Sequence, residues 1–208
     1  MNYLEALNRR YSVKKFNNQI IPQETLHNIL ESGKLSASSL GLQPYKIIIV
    51  ESEEMKQKLI PAFYNPSQIS TCSHLVVIVS KKIIEENYIK GYFKHISEVR
   101  ETPLEQLVPF KNSINQHINQ KTLDEIFNWA EKQSYIVLAN LMYAAAIENI
   151  DSCPMEGFRQ DLIEEILNIN PETEKVTVTL ALGYRSEEDH FQHMKKVRKP
   201  NEKLFKFI

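Results

Sequence analysis

Arg9, Arg10, Tyr11, Ser12, Val13, Lys14 and Lys15 follow directly on a short helical pattern at the start of the chain. They bring guanidinium, ammonium, hydroxyl and amide donors into about one turn of backbone. A small anion such as phosphate calls for that set, because each desolvated charge-assisted hydrogen bond contributes roughly 1.5–3 kcal/mol. A second cluster, Lys195, Lys196, Arg198 and Lys199 before Pro200, stands near the other end. Each cluster also reads as solvated charge beside a helix end. They serve one anion only if the two ends of the chain meet in space.

Two further segments carry chemistry. Residues 35–45, containing Ser36, Ala37, Ser38, Ser39, Gly41, Gln43 and Pro44, are small and hydroxyl-rich, so a backbone there can approach a ligand closely. The same run also reads as a helix C-terminal loop before a strand. In Cys153-Pro154-Met155-Glu156-Gly157-Phe158, the proline stiffens a turn, and Gly157 permits either close approach or positive φ. The Glu156 and Gly157 amides would then be fixed donors. Alternatively, this is only the turn that opens the next helix.

These segments need a scaffold. Pro22, Gln23 and Glu24 ahead of Leu26, Ile29 and Leu30 predict a helix, closed near Gly33. The β-branched runs 45–50, 74–79 and 176–182 predict three strands, and 53–60 and 158–167 predict short helices. Thr122 and Glu125 form a capping-box pattern opening a long helix through Trp129, apolar nearly all round over 136–147. Residues 83–121 read as helical with a mobile loop. The order of elements is that of an α+β or three-layer arrangement with a small sheet.

Composition narrows the function classes. With 208 residues, 42% hydrophobic, the chain can form one sizeable core. A net charge of -1 leaves no basic field for nucleic acid. The opening residues lack a secretory signal pattern, and apolar runs such as 75–79 are too short for a bilayer, so a cytoplasmic protein with no membrane partner is expected. Cys72 and Cys153 have no paired spacing, and the six histidines are scattered, so no metal site is expected. Dinucleotide-binding and P-loop glycine patterns do not occur, with only five glycines in the chain.

The four segments, in this order and at these separations, resemble the nitroreductase family of FMN-dependent, NAD(P)H-using flavoenzymes, nearest its oxygen-insensitive nitroreductase and dihydropteridine reductase branch. The likeness runs from Arg10-x-Ser12-x-Lys14 to Lys196-x-Arg198 and includes Pro154-x-Glu156-Gly157 after the long helix. It implies an α/β/α sandwich with a small, mostly antiparallel sheet, one domain over 1–208, and a homodimer. The long helix would form much of the dimer interface, and a tail from about 200 to 208 would pack on the partner.

The resemblance also assigns residues. Arg10, Ser12, Lys196 and Arg198 would hold the FMN phosphate and ribityl hydroxyls, with Tyr11, Gln43, Pro154 and Met155 lining the cofactor site. Lys14 would sit beside the N1–C2=O edge and favour the reduced state, while Asn65 would bond the pyrimidine edge. The amides of Glu156 and Gly157 would face N5 and O4. Ser38, Ser39 and Gly41 would reach the partner's cofactor. NADH or NADPH would bind, leave, and be replaced by a small electron acceptor such as a nitroaromatic or quinone.

Departures are local. Gln68 stands where close relatives carry a second lysine, and Gly41 where asparagine is frequent. Tyr64, Phe110, Asn115 and His117 are the candidates for the acceptor pocket. Two other readings stand beside the reductase: a same-fold flavoenzyme performing dehalogenation or dehydrogenation, and a flavin- or phosphate-binding protein without turnover.

Overall fold

Strand β2 (His74–Lys81) is buried along almost its whole length, with alternate side chains facing opposite ways. The computed structural model, which describes residues 2–208, is built outward from it. Strand β1 (Tyr45–Val50) pairs on one side of β2 and β4 (Glu174–Gly183) on the other, and β3 (Asp151–Met155) lies beyond β4. All three pairings are antiparallel. The β-branched runs predict three of these strands. β3 corrects the reading of its residues as a turn: Pro154, lacking an N–H, sits in an outer strand, where the ladder tolerates it.

Leu75, Val77, Val79, Cys153, Met155 and Ala181 face one helical layer, where they meet Leu59, Ile69 and Ile163. These come from α3 (Glu53–Leu59), α4 (Pro66–Thr71) and α8 (Gln160–Ile166). Val76, Ile78, Val178, Leu180 and Leu182 face the opposite layer of α2 (Gln23–Lys34) and α7 (Leu123–Ile147), against Leu26, Ile29, Val137, Leu138 and Leu141. Val176 and Val178 are two apart yet face opposite layers. The register slips between Ile78 and Val79, leaving Thr177 as the extra residue of a bulge. Its hydroxyl lies 2.5 Å from Ser80 Oγ, which lies 2.7 Å from Ser134 Oγ, so the buried bulge is satisfied.

Residues 83–121 form two helices, α5 (Glu86–Arg100) and α6 (Leu104–Asn119), with no long loop between them. Glu101 takes φ 51° and caps α5, and the Thr102 amide donates to Ser97 O at 3.1 Å. Phe93, Ile96, Ile114 and Ile118 give this pair its own core, reaching Ile126 and Trp129 on α7. The α7 capping box forms as its spacing predicts. One stripe of α7 is buried, while Ile136, Tyr143 and Ile147 remain exposed.

Helix α1 (Tyr3–Arg9) opens the chain, and α9 (Asn201–Leu204) precedes an exposed Phe205, Phe207 and Ile208. Among the described residues no helix is long and apolar enough to cross a membrane.

Candidate functional site

Helix α1 stops at Arg10, whose amide still donates to Ala6 O at 3.0 Å while its φ/ψ turns extended. The chain then runs beside β3, bridging Ser12 to Ser152 and, farther on, Phe16 to Arg185. That path exposes Arg10, Ser12 and Lys14 toward the returning C-terminal segment. Lys196 Nζ donates to the Arg10 carbonyl, so the two ends of the chain do meet.

Between them lies a cavity of about 310 Å³ lined by Arg10, Tyr11, Ser12, Lys14, Lys196 and Arg198, among others. No carboxylate lies among its lining residues. Burial lowers the pKa of Arg10, and the neighbouring Arg198 lowers it further. Burial lowers Lys196 in the same way, with Arg10 and Arg198 adding to it. Like charges are thus held together without an acid to neutralise them.

Nearby Arg185 shows what a neutralised arginine looks like. Arg185 donates to Asp151 from its amide at 2.9 Å and from Nε at 3.0 Å, a bond that raises its pKa; Arg9 Nη1 lies 3.9 Å from the same carboxylate. Arg10 Nη1 and the Ser152 hydroxyl are buried without a partner among the described residues. An unsatisfied buried donor costs about 1–3 kcal/mol, more when charged. The arrangement has the charge and the unspent donors that a bound anion would satisfy.

A second cavity, about 220 Å³, adjoins the first through Lys14, which lines both. Its other walls are Tyr64, Asn65, Gln68 and residues 153–157. The Tyr64 amide donates to Gly157 O at 3.0 Å and joins the two loops. Of the two reasons for a glycine at 157, the structure selects close approach: an added Cβ would stand 3.3 Å from Tyr64 Cδ2, and Gly157 is not among the positive-φ residues. Neither the Glu156 nor the Gly157 amide enters a turn or loop hydrogen bond among the described residues. Tyr135, on α7, donates its phenol to Glu156 Oε1 at 2.6 Å, and burial with that carboxylate raises the phenol's pKa. Asn65 precedes α4 without spending its side chain on the cap. Gln68 is buried and donates to Val13 O at 3.1 Å.

Other expected site residues lie elsewhere in the single chain. Ser38, Ser39, Gly41 and Gln43 line neither cavity. Their loop is tied to α7 by the Ser39 amide on Gln133 Oε1 at 2.8 Å, and to α5 by Tyr92 Oη on Leu40 O at 3.0 Å. The Gln43 carboxamide is engaged with Lys34 O at 3.0 Å. Gly41 has φ +70°, and a Cβ there would stand 2.4 Å from Tyr92 Oη, so this glycine is required by its backbone. Phe110, Asn115 and His117 sit on α6, away from both cavities, with Phe110 edge-on to Phe93 at 5.4 Å.

Sequence reasoning missed Asp189, Asp151 and Phe191. Asp189 Oδ2 accepts the amides of Lys14 at 2.7 Å and Lys15 at 3.2 Å, and Oδ1 accepts Phe191 N at 3.0 Å. Burial pushes the Asp189 carboxyl up, but the three amides prevail and hold it low. An aspartate that fixes amides some 175 residues away carries no local pattern.

A family model described as "Nitroreductase family" matches residues 7–184. A "Putative NAD(P)H nitroreductase" of Staphylococcus haemolyticus is 35% identical over 217 residues, covering 99% of this chain and 96% of its own. The protein of the same description from Bacillus subtilis, YfkO, is 37% identical over 197 residues, 88% of each. In three dimensions, "a putative nitroreductase in complex with FMN" from Exiguobacterium sibiricum superposes with a TM-score of 0.87 at 21% identity, over 100% of this chain and 98% of that one. A Staphylococcus epidermidis structure described as "a putative NAD(P)H:FMN oxidoreductase" gives 0.87 at 24% identity, covering 100% and 96%. At such identities these two structures show the shared fold.

Proposed function

Since the chain belongs to the nitroreductase family, we propose that it is an FMN-dependent oxidoreductase moving hydride from NADH or NADPH to a small acceptor such as a nitroaromatic or quinone. The observation that carries this reading is the uncompensated cation socket opening onto the shelf of residues 153–157. A mononucleotide has that outline: a dianion at one end and a flat heterocycle with a polar edge at the other.

Arg10, Ser12, Lys196 and Arg198 bind the phosphate, and the orphaned Arg10 Nη1 gains its partner there. Lys14 and Asn65 would orient the pyrimidine edge, and Gln68 lines the same cavity. Tyr135 fixes the Glu156 carboxylate and so ties that end of the shelf to α7. When bound, FMN supplies two-electron hydride chemistry, which no side chain here could perform. A cation at Lys14 favours the anionic reduced form by charge alone, without moving a proton.

The donor and the acceptor would use the same open face in turn, a ping-pong order. The whole chain acts as one domain. Two copies close each groove, with Ser38, Ser39 and Gly41 contributed by the partner and the tail packed across the interface. The exposed Ile136, Tyr143, Ile147, Leu204, Phe205 and Phe207 support that arrangement.

The test is the visible spectrum of freshly purified protein, followed by anaerobic addition of NADH and NADPH. Flavin absorbance that bleaches with either donor and returns with a quinone or nitroaromatic supports the reading. A yellow protein inert to both is a flavin carrier, and a colourless one that FMN does not saturate ends the proposal.

A further inference from the structure

Lys14 lines the first cavity, which has no carboxylate among its lining residues, and also the second, where Glu156 is bonded by Tyr135; its position is fixed from three sides. Asp189 anchors its backbone amide at 2.7 Å. Its Nζ donates to Cys153 Sγ at 3.8 Å and stands 6.0 Å from the centroid of the Phe191 ring. Both side-chain partners are soft and uncharged. A sulfur lone pair and an aromatic face attract an ammonium without cancelling its charge.

The thiol itself is fully engaged. Cys153 Sγ accepts from Gln68 Nε2 and from Lys14, while its own S–H is directed at Pro154 O, 3.6 Å away. Gln68 is in turn pinned by its second bond to Val13 O. Cys153 is 1% exposed, and burial raises its thiol pKa, so the sulfur remains neutral at physiological pH. A carboxylate in the same place would hold Lys14 more tightly and erase the charge it presents to the groove.

We propose that Cys153, with Phe191, is a positioning residue that holds the uncompensated Lys14 ammonium against the ligand in the groove and thereby sets the reduction potential of bound flavin. This rests on the reading of the groove as an FMN site. Gln68 belongs to the same device: it orients the sulfur, and being neutral it leaves Lys14 as the cation on that wall.

The test is a double-mutant cycle on the two-electron potential of the FMN-loaded protein, measured against a reference dye. Lys14→Met is expected to lower the equilibrium constant for reduction about tenfold, roughly 30 mV for a two-electron couple. Cys153→Ala with Lys14 present should lower it about threefold, and in the Lys14→Met background it should change nothing. Cys153→Ser, which keeps an acceptor, should restore most of the loss. Phe191→Leu, at a half-exposed site, should likewise act only when Lys14 is present. Equal shifts from Cys153→Ala in both backgrounds, or none in either, overturn the proposal while leaving the flavin reading intact. Wild-type protein that FMN does not saturate overturns both.

Discussion

Arg10 and Arg198 illustrate how far a residue's type can be read without its neighbours. Their place in Arg-x-Ser-x-Lys and Lys-x-Arg patterns marks them as candidate anion ligands, and the structure puts them within electrostatic reach of each other. Arg10→Ala is expected to weaken FMN binding about 10- to 100-fold, the loss of one charge-assisted bond of about 1.5–3 kcal/mol. Fluorescence quenching on titrating FMN into apoprotein checks it, and an unchanged affinity would remove Arg10 from the phosphate site. Asp189 is the contrasting case. Nothing near it in sequence marks it, because its partners are main-chain amides of Lys14 and Lys15. Asp189→Ala should cost roughly 1.5–3 kcal/mol of stability by urea denaturation. It should weaken FMN binding as well, since the Lys14 segment loses its anchor. Stability loss with unaltered FMN affinity would limit Asp189 to a structural role.

At the scale of elements, hydrophobic period did most of the work. β2 and β4 were legible because a strand buried on both faces is a continuous β-branched run, and α7 because its capping box and apolar length are local. β3 was not legible: five residues containing Pro154 acquire strand geometry only from pairing with β4. The start of β2 also carries a titration. His74 is buried beside the Ser73 hydroxyl, 2.8 Å from its Nδ1. Burial lowers its pKa below the ordinary 6.5, over the opposing pull of Glu51. A base whose folded pKa is depressed contributes stability that is present above its unfolded pKa and lost as pH falls toward the folded one. Thermal stability should therefore decline below about pH 6.5. In His74→Gln that part of the slope should be absent, as calorimetry from pH 7.5 to 5 would reveal; an unchanged slope would assign the decline to carboxylates such as Asp189.

At the scale of the whole molecule, the 24.2 kDa chain leaves Phe205, Phe207 and Ile208 in water, and leaves Ile136 and Tyr143 of α7 uncovered as well. Sedimentation should find twice the chain mass, and removal of residues 204–208 should shift the population toward the single-chain mass with weaker FMN retention. A wild-type monomer would leave the Ser38–Gln43 loop without the cofactor it is proposed to reach. The sequence by itself determined which residues are charged, small or apolar, and through their spacing the principal helices, three strands and the family likeness, because those signals act over a few residues. Only the tertiary structure decided that residues 10–14 and 196–198 share one cavity, that Asp151 neutralises Arg185 while Arg10 stays uncompensated, and that sulfur rather than carboxylate faces Lys14. Those outcomes depend on burial and on contacts between residues from 34 to 186 positions apart, where the energy of a charge is set by what surrounds it and not by its neighbours along the chain.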